Sequence, residues 1–287
     1  EHTDKQCPGC GAENPQWQPL TAQLLDKQAQ QLPAGHYYLQ EQLDYDKQIT
    51  VVGGNLCLDL GGYQTTLAGG GIWTVFDSRT DDFDVEDGVY GTIPAGSGAQ
   101  AAAGYLAVTE NGKVSFHKYT LQIRQVTLKN SMVGLHYQCL IAGDEKVKSQ
   151  VAEFGVAMRV GEPVTGAQIR EDTENKIHVS RDGSQWRTGS QGQRLNSVAV
   201  KDIMKTGASN EVNAQSAETK VYGSAYMLLK DCTYVLGDAE GRSLREVAEL
   251  ADELYSTLNQ TQLHAFHTLY TTFLPVMESW DLPNLKG

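Results

Sequence analysis

Paired and tripled glycines between very short apolar pieces constrain this chain more than any other feature. The pieces are Tyr37-Tyr38-Leu39, Ile49 to Val52, Leu56 to Leu60, Thr65-Thr66-Leu67 and Ile72 to Phe76. Gly53-Gly54, Gly61-Gly62 and Gly69-Gly70-Gly71 punctuate them. Strands this short, turned at glycine corners with near-regular spacing, suit the coils of a parallel β-helix better than hairpins. Leu56, Leu58 and Leu60 alternate with Cys57 and Asp59, which predicts one buried and one exposed face. Only about two or three coils fit into 36–77, close to the minimum for a repeat array. Such a unit relies on its neighbours for a core.

The remaining chain has a different texture. Residues 1–35 are a polar, cysteine-containing lead-in with one short helical turn expected at Leu20 to Leu25. The β-helix-like region and an Asp- and Gly-rich loop occupy 36–104. From 105 to 287 the strands lengthen, and Val114 to Leu128 shows a slip in its alternation that predicts a bulge or bend. Further strands are expected at 134–142, 154–161, 176–180, 195–205, 219–230 and 233–237, with a short helix at 145–153. This series predicts an immunoglobulin-like antiparallel β-sandwich. Two helices end it. Ser243-Leu244-Arg245-Glu246 forms a capping box, and Asn259 opens the second helix. Their apolar stripes predict that Leu254 and Phe266 are buried. The fold class is therefore mainly β: a short coil region, then a sandwich with a C-terminal helix pair.

Charge excludes several partners. With 23 basic and 35 acidic residues the net charge is −12, and no basic cluster is present. Such a chain cannot neutralise a run of phosphates, so nucleic acid is excluded as a partner, and anionic lipid is repelled. No stretch approaches the ~20 apolar residues of a membrane span. With Glu1 first and no basic-then-apolar leader, the sequence reads as a processed or trimmed product.

Among chemistry-bearing residues, Cys7-Pro8-Gly9-Cys10-Gly11 is the compact cysteine pair among five cysteines. Cys-x-x-Cys-Gly is half of a zinc ribbon, and a closed site needs four ligands. His2 is the nearest third ligand and His36 a distant fourth. Zinc, a local disulfide and free thiols all fit the pattern, and the expectation is no stoichiometric zinc and no resident cofactor. Asp81, Asp82, Asp84, Glu86 and Asp87 form an acidic cluster that fails the calcium-loop template and predicts a solvated loop. Gly96-x-Gly98-x-x-Ala101 lacks the βαβ setting of a dinucleotide fingerprint. His264 and His267 lie one turn apart, with Glu278 as the nearby carboxylate, and predict an ordinary helix surface.

No catalytic residues are assigned. A carbohydrate-cleaving enzyme on β-helical coils would rest on Asp59, Asp77 and Arg79. Glycan binding would rest on an exposed aromatic strip drawn from Tyr45, Tyr63 and Trp73.

Several phrases carry a family resemblance. Trp17 to Thr21, Ala34-Gly35-His36-Tyr37-Tyr38-Leu39 and Asn55-Leu56-Cys57-Leu58-Asp59-Leu60-Gly61-Gly62-Tyr63 resemble the opening of large secreted or cell-surface proteins of Gram-positive gut anaerobes. In these proteins the phrase starts pectate-lyase-like coils, after a His- and Cys-containing lead-in like Glu1 to Gly11. Ser115 to Tyr119, Phe154 to Met158, Tyr222 to Asp231 and Met277 to Leu282 are similar to a C-terminal module of the same proteins. The family's β-helix is usually longer than the one here. The resemblance implies a secreted or cell-surface location and a non-catalytic structural, adhesive or glycan-binding role. Its partners would be a glycan or another surface protein.

Overall fold

The computed structural model describes residues 5–83, 90–128, 134–173, 177–198, 205–206, 211–212, 217–272 and 274–286. It is mainly β, with 42% strand against 24% helix, and includes a solenoid-like coil region. Two compact units divide the chain. The first is Glu1–Thr120 with Ala142–Gln150 and Trp186–Gly192. The second is Leu121–Ile141, Val151–Gln185 and Gln193–Gly287.

The coils of the first unit are strands β1 (Trp17–Pro19), β2 (Gln31–Tyr38), β3 (Ile49–Asp59) and β4 (Gly69–Phe76). β5 (Ile93–Pro94) lies outside them, and β6 (Gln100–Ala101) completes the sheet in the order β1-β2-β3-β4-β6. Each adjacent pair is parallel. The coils thus begin well before residue 36. β1 has three residues, and β2 carries Pro33, whose missing N–H coincides with a register shift between Pro33 and Gly35. Both strands therefore lack an ordinary strand pattern. The expected turn is present as helix α1 (Ala22–Lys27), capped by Thr21, whose side chain accepts from the Leu24 N–H.

Register builds two inward stacks. Tyr37, Leu58, Val75 and Ala101 are successive partners, as are Gly35, Leu56 and Trp73. Their apolar side chains join Leu25, Leu32 and Phe76 in a continuous core. Between the stacks runs a ladder on the opposite face: Trp17, His36, Cys57, Thr74 and Gln100. The expectation of an exposed second face on β3 is corrected here. Cys57 and Asp59 are both 1% exposed, because the lead-in covers the first and a coil corner encloses the second.

Beyond the coils, β7 (Tyr105–Glu110) pairs antiparallel with the start of β8 (Lys113–Leu128), and β5 pairs with the same stretch. β8 continues past Thr120 into the second unit. There β9 (Leu135–Gly143) lies next to β12 (Gln193–Val198) in antiparallel register. Helix α2 (Glu145–Gln150) belongs to the first unit and directly precedes β10 (Val151–Val160).

A second antiparallel sheet has β10 at its centre, between β11 (His178–Asp182) and β15 (Val221–Leu229). The two-residue strands β13 (Lys205–Thr206) and β14 (Glu211–Val212) pair with each other. β16 (Tyr234–Leu236) and β17 (Glu240–Arg242) both pair with β15. A helix absent from the sequence reading, α3 (Gly166–Glu171), starts at a capping box formed by Thr165 and Gln168. Helices α4 (Leu244–Glu253) and α5 (Gln260–Thr272) form the expected terminal pair, and the Ser243–Glu246 capping box is present. Phe266 is fully buried as expected, but Leu254 is 46% exposed. Leu254 sits at the C-cap of α4, where the helix ends and the stripe leaves the core.

Candidate metal centre

The lead-in folds into a compact knuckle. The Cys7 N–H donates to the Ala12 carbonyl (2.9 Å), and the Gly11 N–H donates back to the Cys7 carbonyl (2.8 Å). Cys-Pro-Gly-Cys is suited to such a turn, because the chain must double back within four residues. Gly9 presses against the coil face: a Cβ there would lie 2.8 Å from Cys57 Sγ and 3.3 Å from the Thr74 methyl. Any larger residue would push the knuckle off the ladder.

That approach brings four ligands together. Cys7, Cys10, His36 and Cys57 place their donor atoms within 4.8 Å of one another. Cys10 Sγ lies 3.2 Å from His36 Nε2. His36 and Cys57 are direct register partners on β2 and β3, so the sheet spacing sets their separation. Trp17 meets the His36 ring edge-on at 5.3 Å. The Asn55 amide points at Cys57 Sγ from 3.9 Å and is itself reached by the Thr74 hydroxyl at 3.3 Å.

The donor set fits zinc. Three thiolates and one imidazole form a recognised tetrahedral Cys₃His set, with Zn–S near 2.3 Å and Zn–N near 2.0–2.1 Å. Tetrahedral geometry at those lengths puts ligand atoms about 3.5–3.8 Å apart, so the cluster needs only sub-ångström adjustment. Electrostatics agree. Hydrogen bonding from Cys57 and from the backbone of Cys10 and Gly9 holds the Cys7 thiol down at about 5, against burial. The same hydrogen bond, burial and the neighbouring sulfurs push the Cys57 thiol up. Three clustered sulfurs cannot all shed their protons without a cation to balance them, which is what zinc supplies.

Three of the four residues are candidates from the sequence. Cys7 and Cys10 are two of them, and the distant His36 is the third. Cys57, expected on an exposed strand face, is the fourth residue of the cluster and is buried. His2 lies outside the described residues. The signal available in sequence was the coil register, which pairs His36 with Cys57.

The other candidates are placed differently. Tyr45 is buried, and its hydroxyl donates to Asp26 Oδ1 at 2.9 Å. Trp73 is buried in the coil core, while Tyr63 is 40% exposed, so the three aromatics form no common exposed strip. Asp59 accepts from the N–H groups of Gly61 (3.0 Å) and Ser78 (2.9 Å). Asp77 accepts from the N–H groups of Gly62 (2.8 Å), Arg79 (3.0 Å) and Gly91. Burial raises the Asp77 carboxyl to about 6 despite those donated hydrogen bonds. These two carboxylates fasten coil corners.

Asp81 takes the Tyr105 hydroxyl and Lys118 Nζ (2.9 Å), whereas Asp84, Glu86 and Asp87 lie outside the described residues. Gly98 approaches the backbone: a Cβ there would lie 2.8 Å from the Gly69 carbonyl oxygen. Its glycine thus serves a coil contact. His267 pairs with the Tyr255 hydroxyl at 3.0 Å, and among the described residues His264, His267 and Glu278 do not converge.

One constellation had no sequence signature. His117 contacts Asp144 through Nδ1 (2.6 Å) and Ser115 Oγ through Nε2 (2.8 Å). The order of contacts is that of a nucleophile relay. Its surroundings are those of a brace. The His117 side chain is fully buried, Tyr90 packs edge-on against it at 4.7 Å, and Ser115 is 6% exposed. Asp144 meanwhile accepts from the N–H groups of Lys146 and Val147 at the start of α2. The imidazole therefore ties β8 to that helix.

No helix among the described residues is long and apolar enough to cross a membrane. Comparison of the chain with family models, with curated proteins and with solved structures returns no match.

Proposed function

We propose that this chain is a non-catalytic structural module of a secreted or cell-surface protein, in which one zinc ion clasps the lead-in to the coils. The convergence of Cys7, Cys10, His36 and Cys57 carries the reading. The site is closed: four protein ligands leave no position for a substrate, which is the arrangement of structural rather than catalytic zinc. A role in presenting or adhering neighbouring regions follows from the resemblance to surface proteins of gut anaerobes. The same reading takes the second unit as an immunoglobulin-like sandwich, supported by its antiparallel sheets about β9 and about β10. A carbohydrate-cleaving role draws no support from Asp59 and Asp77, whose oxygens are engaged by backbone amides.

Elemental analysis of protein purified without chelator tests the metal. About one zinc per chain is expected, lost in Cys57→Ser and retained in Cys232→Ser. Absence of zinc that cannot be restored by adding it would overturn the reading. Incubation with plant, mucin and bacterial polysaccharides tests the rest: release of new reducing ends or unsaturated products would refute the non-catalytic role.

A further inference from the structure

The centre is built from two unequal halves. His36 and Cys57 sit on β2 and β3, whose strand pairing and core packing involve no residue of 5–14. Among the described residues the coil core begins at Leu20 and runs through Leu25, Leu32, Leu56, Leu58 and Trp73. This half of the site exists before any ion arrives.

The other half is self-contained. Residues 5–14 satisfy one another: Asn14 N–H to the Lys5 carbonyl (2.6 Å), Cys7 N–H to Ala12, Gly11 N–H to Cys7, and Gln6 Nε2 to the Gly11 carbonyl (3.3 Å). An isolated bridge joins Gln6 and Glu13. Among the described residues, every backbone hydrogen bond of 5–14 stays within the knuckle. Among the described residues, it meets the coils where Cys7 and Cys10 converge on His36 and Cys57, with Gly9 seated on Cys57 and Thr74.

We propose that the zinc ion is the fastener of a releasable strap, residues 5–14, rather than a support for the coil fold. The proposal rests on the metal reading above and adds how that site is regulated. Withdrawing zinc lets the strap leave while the coils stay folded, and uncovers the outer face at His36, Cys57 and Thr74. Zinc availability then decides whether that face is covered.

Hydrogen exchange on the full chain tests this, with metal content measured on the same samples. The chain is compared as purified, after a strong zinc chelator, and after zinc is returned. Chelation is expected to speed exchange in 5–14 by about tenfold or more and to leave 49–59 and 69–76 within about twofold, with zinc restoring the strap. Cys10→Ser should reproduce the chelated pattern without chelator. If the strap keeps its protection after zinc is gone, packing holds it and the proposal fails. If the coil segments lose protection together with the strap, the ion holds the fold and the proposal also fails. A chain that never binds zinc overturns the metal reading itself, an outcome that metal analysis separates from the other two.

Discussion

The two units bury short strands by opposite routes. In the first, each strand pairs in parallel with the next coil, and like positions stack: Tyr37 on Leu58 on Val75. In the second, β10 pairs antiparallel with β15, so that Phe154 meets Met227 and Val156 meets Ala225 from far along the chain. Stacked coils make neighbouring contacts and spread damage to the rungs on either side. The antiparallel sheet depends on distant segments meeting, which makes its assembly costlier in chain entropy and slower. Metal ligands on adjacent rungs are a natural product of the first plan, because stacking repeats one side-chain position at the strand spacing.

Substitutions can break or sharpen that contrast. Trp73→Ala in the coil core, and Phe154→Ala or Phe266→Ala in the second unit, should each cost about 3–5 kcal/mol in denaturant unfolding. Exchange mapping should show the Trp73 damage spreading into β3, its stacking neighbour. Confinement of that damage to β4 alone would contradict a stacked, nearest-neighbour unit.

Asp77 gives the coils a pH signature. Its folded value of about 6 lies above the ordinary 3.8, so the folded state takes up the proton first as pH falls. This group's contribution is therefore fully present below about pH 4 and is lost as pH rises through 6, by roughly 3 kcal/mol. Midpoints measured from pH 4 to 7.5 should show this slope in the difference between the native chain and Asp77→Asn. A difference that is flat across that range would show that burial does not dominate at this corner.

His117→Ala should cost about 1–3 kcal/mol, since it removes the imidazole from Asp144 Oδ2 and leaves the buried Ser115 hydroxyl only its long bond to the Val108 carbonyl (3.4 Å). Thermal unfolding checks it, and an unchanged midpoint would remove the brace. The smallest effect is expected at Leu254→Ala, within about 1 kcal/mol because the side chain is largely in water. A loss as large as that of Phe266→Ala would mean the α4 stripe is packed after all.

Legibility followed the strength of the local pattern. Short apolar pieces announced β3 and β4, although Gly53-Gly54 and Gly69-Gly70-Gly71, expected as corners, lie inside those strands and join Ile49 to Asp59 into one; the Ser243 capping box announced α4, because that signal is written within a few residues. β1 and the part of β2 before Tyr37 carry no strand signal, since three residues and a proline show no alternation. Leu254 was misplaced because helical spacing continues one position past the residue where α4 ends. Of the candidate metal centre, Cys7, Cys10 and the distant His36 were legible and Cys57 was not. Cys7 and Cys10 are three positions apart in sequence, but His36 and Cys57 become neighbours only through coil register. Cys57 was assigned to solvent because nothing local shows that a distant knuckle covers it.

The ladder from Trp17 to Gln100 has a consequence for how the coils find their alignment. Side chains alternate across a strand, so sliding β2 by one residue against β3 would send His36 to the interior and Tyr37 to the outer face. Such a slip would trade the buried Tyr37 ring for an imidazole in the stack with Leu58 and Val75, so core packing itself rejects it. The same slip would also carry His36 away from Cys57 and break up the candidate ligand set. The four-ligand cluster therefore reports a register that the core has already set: only a coil threaded in that frame brings His36 beside Cys57.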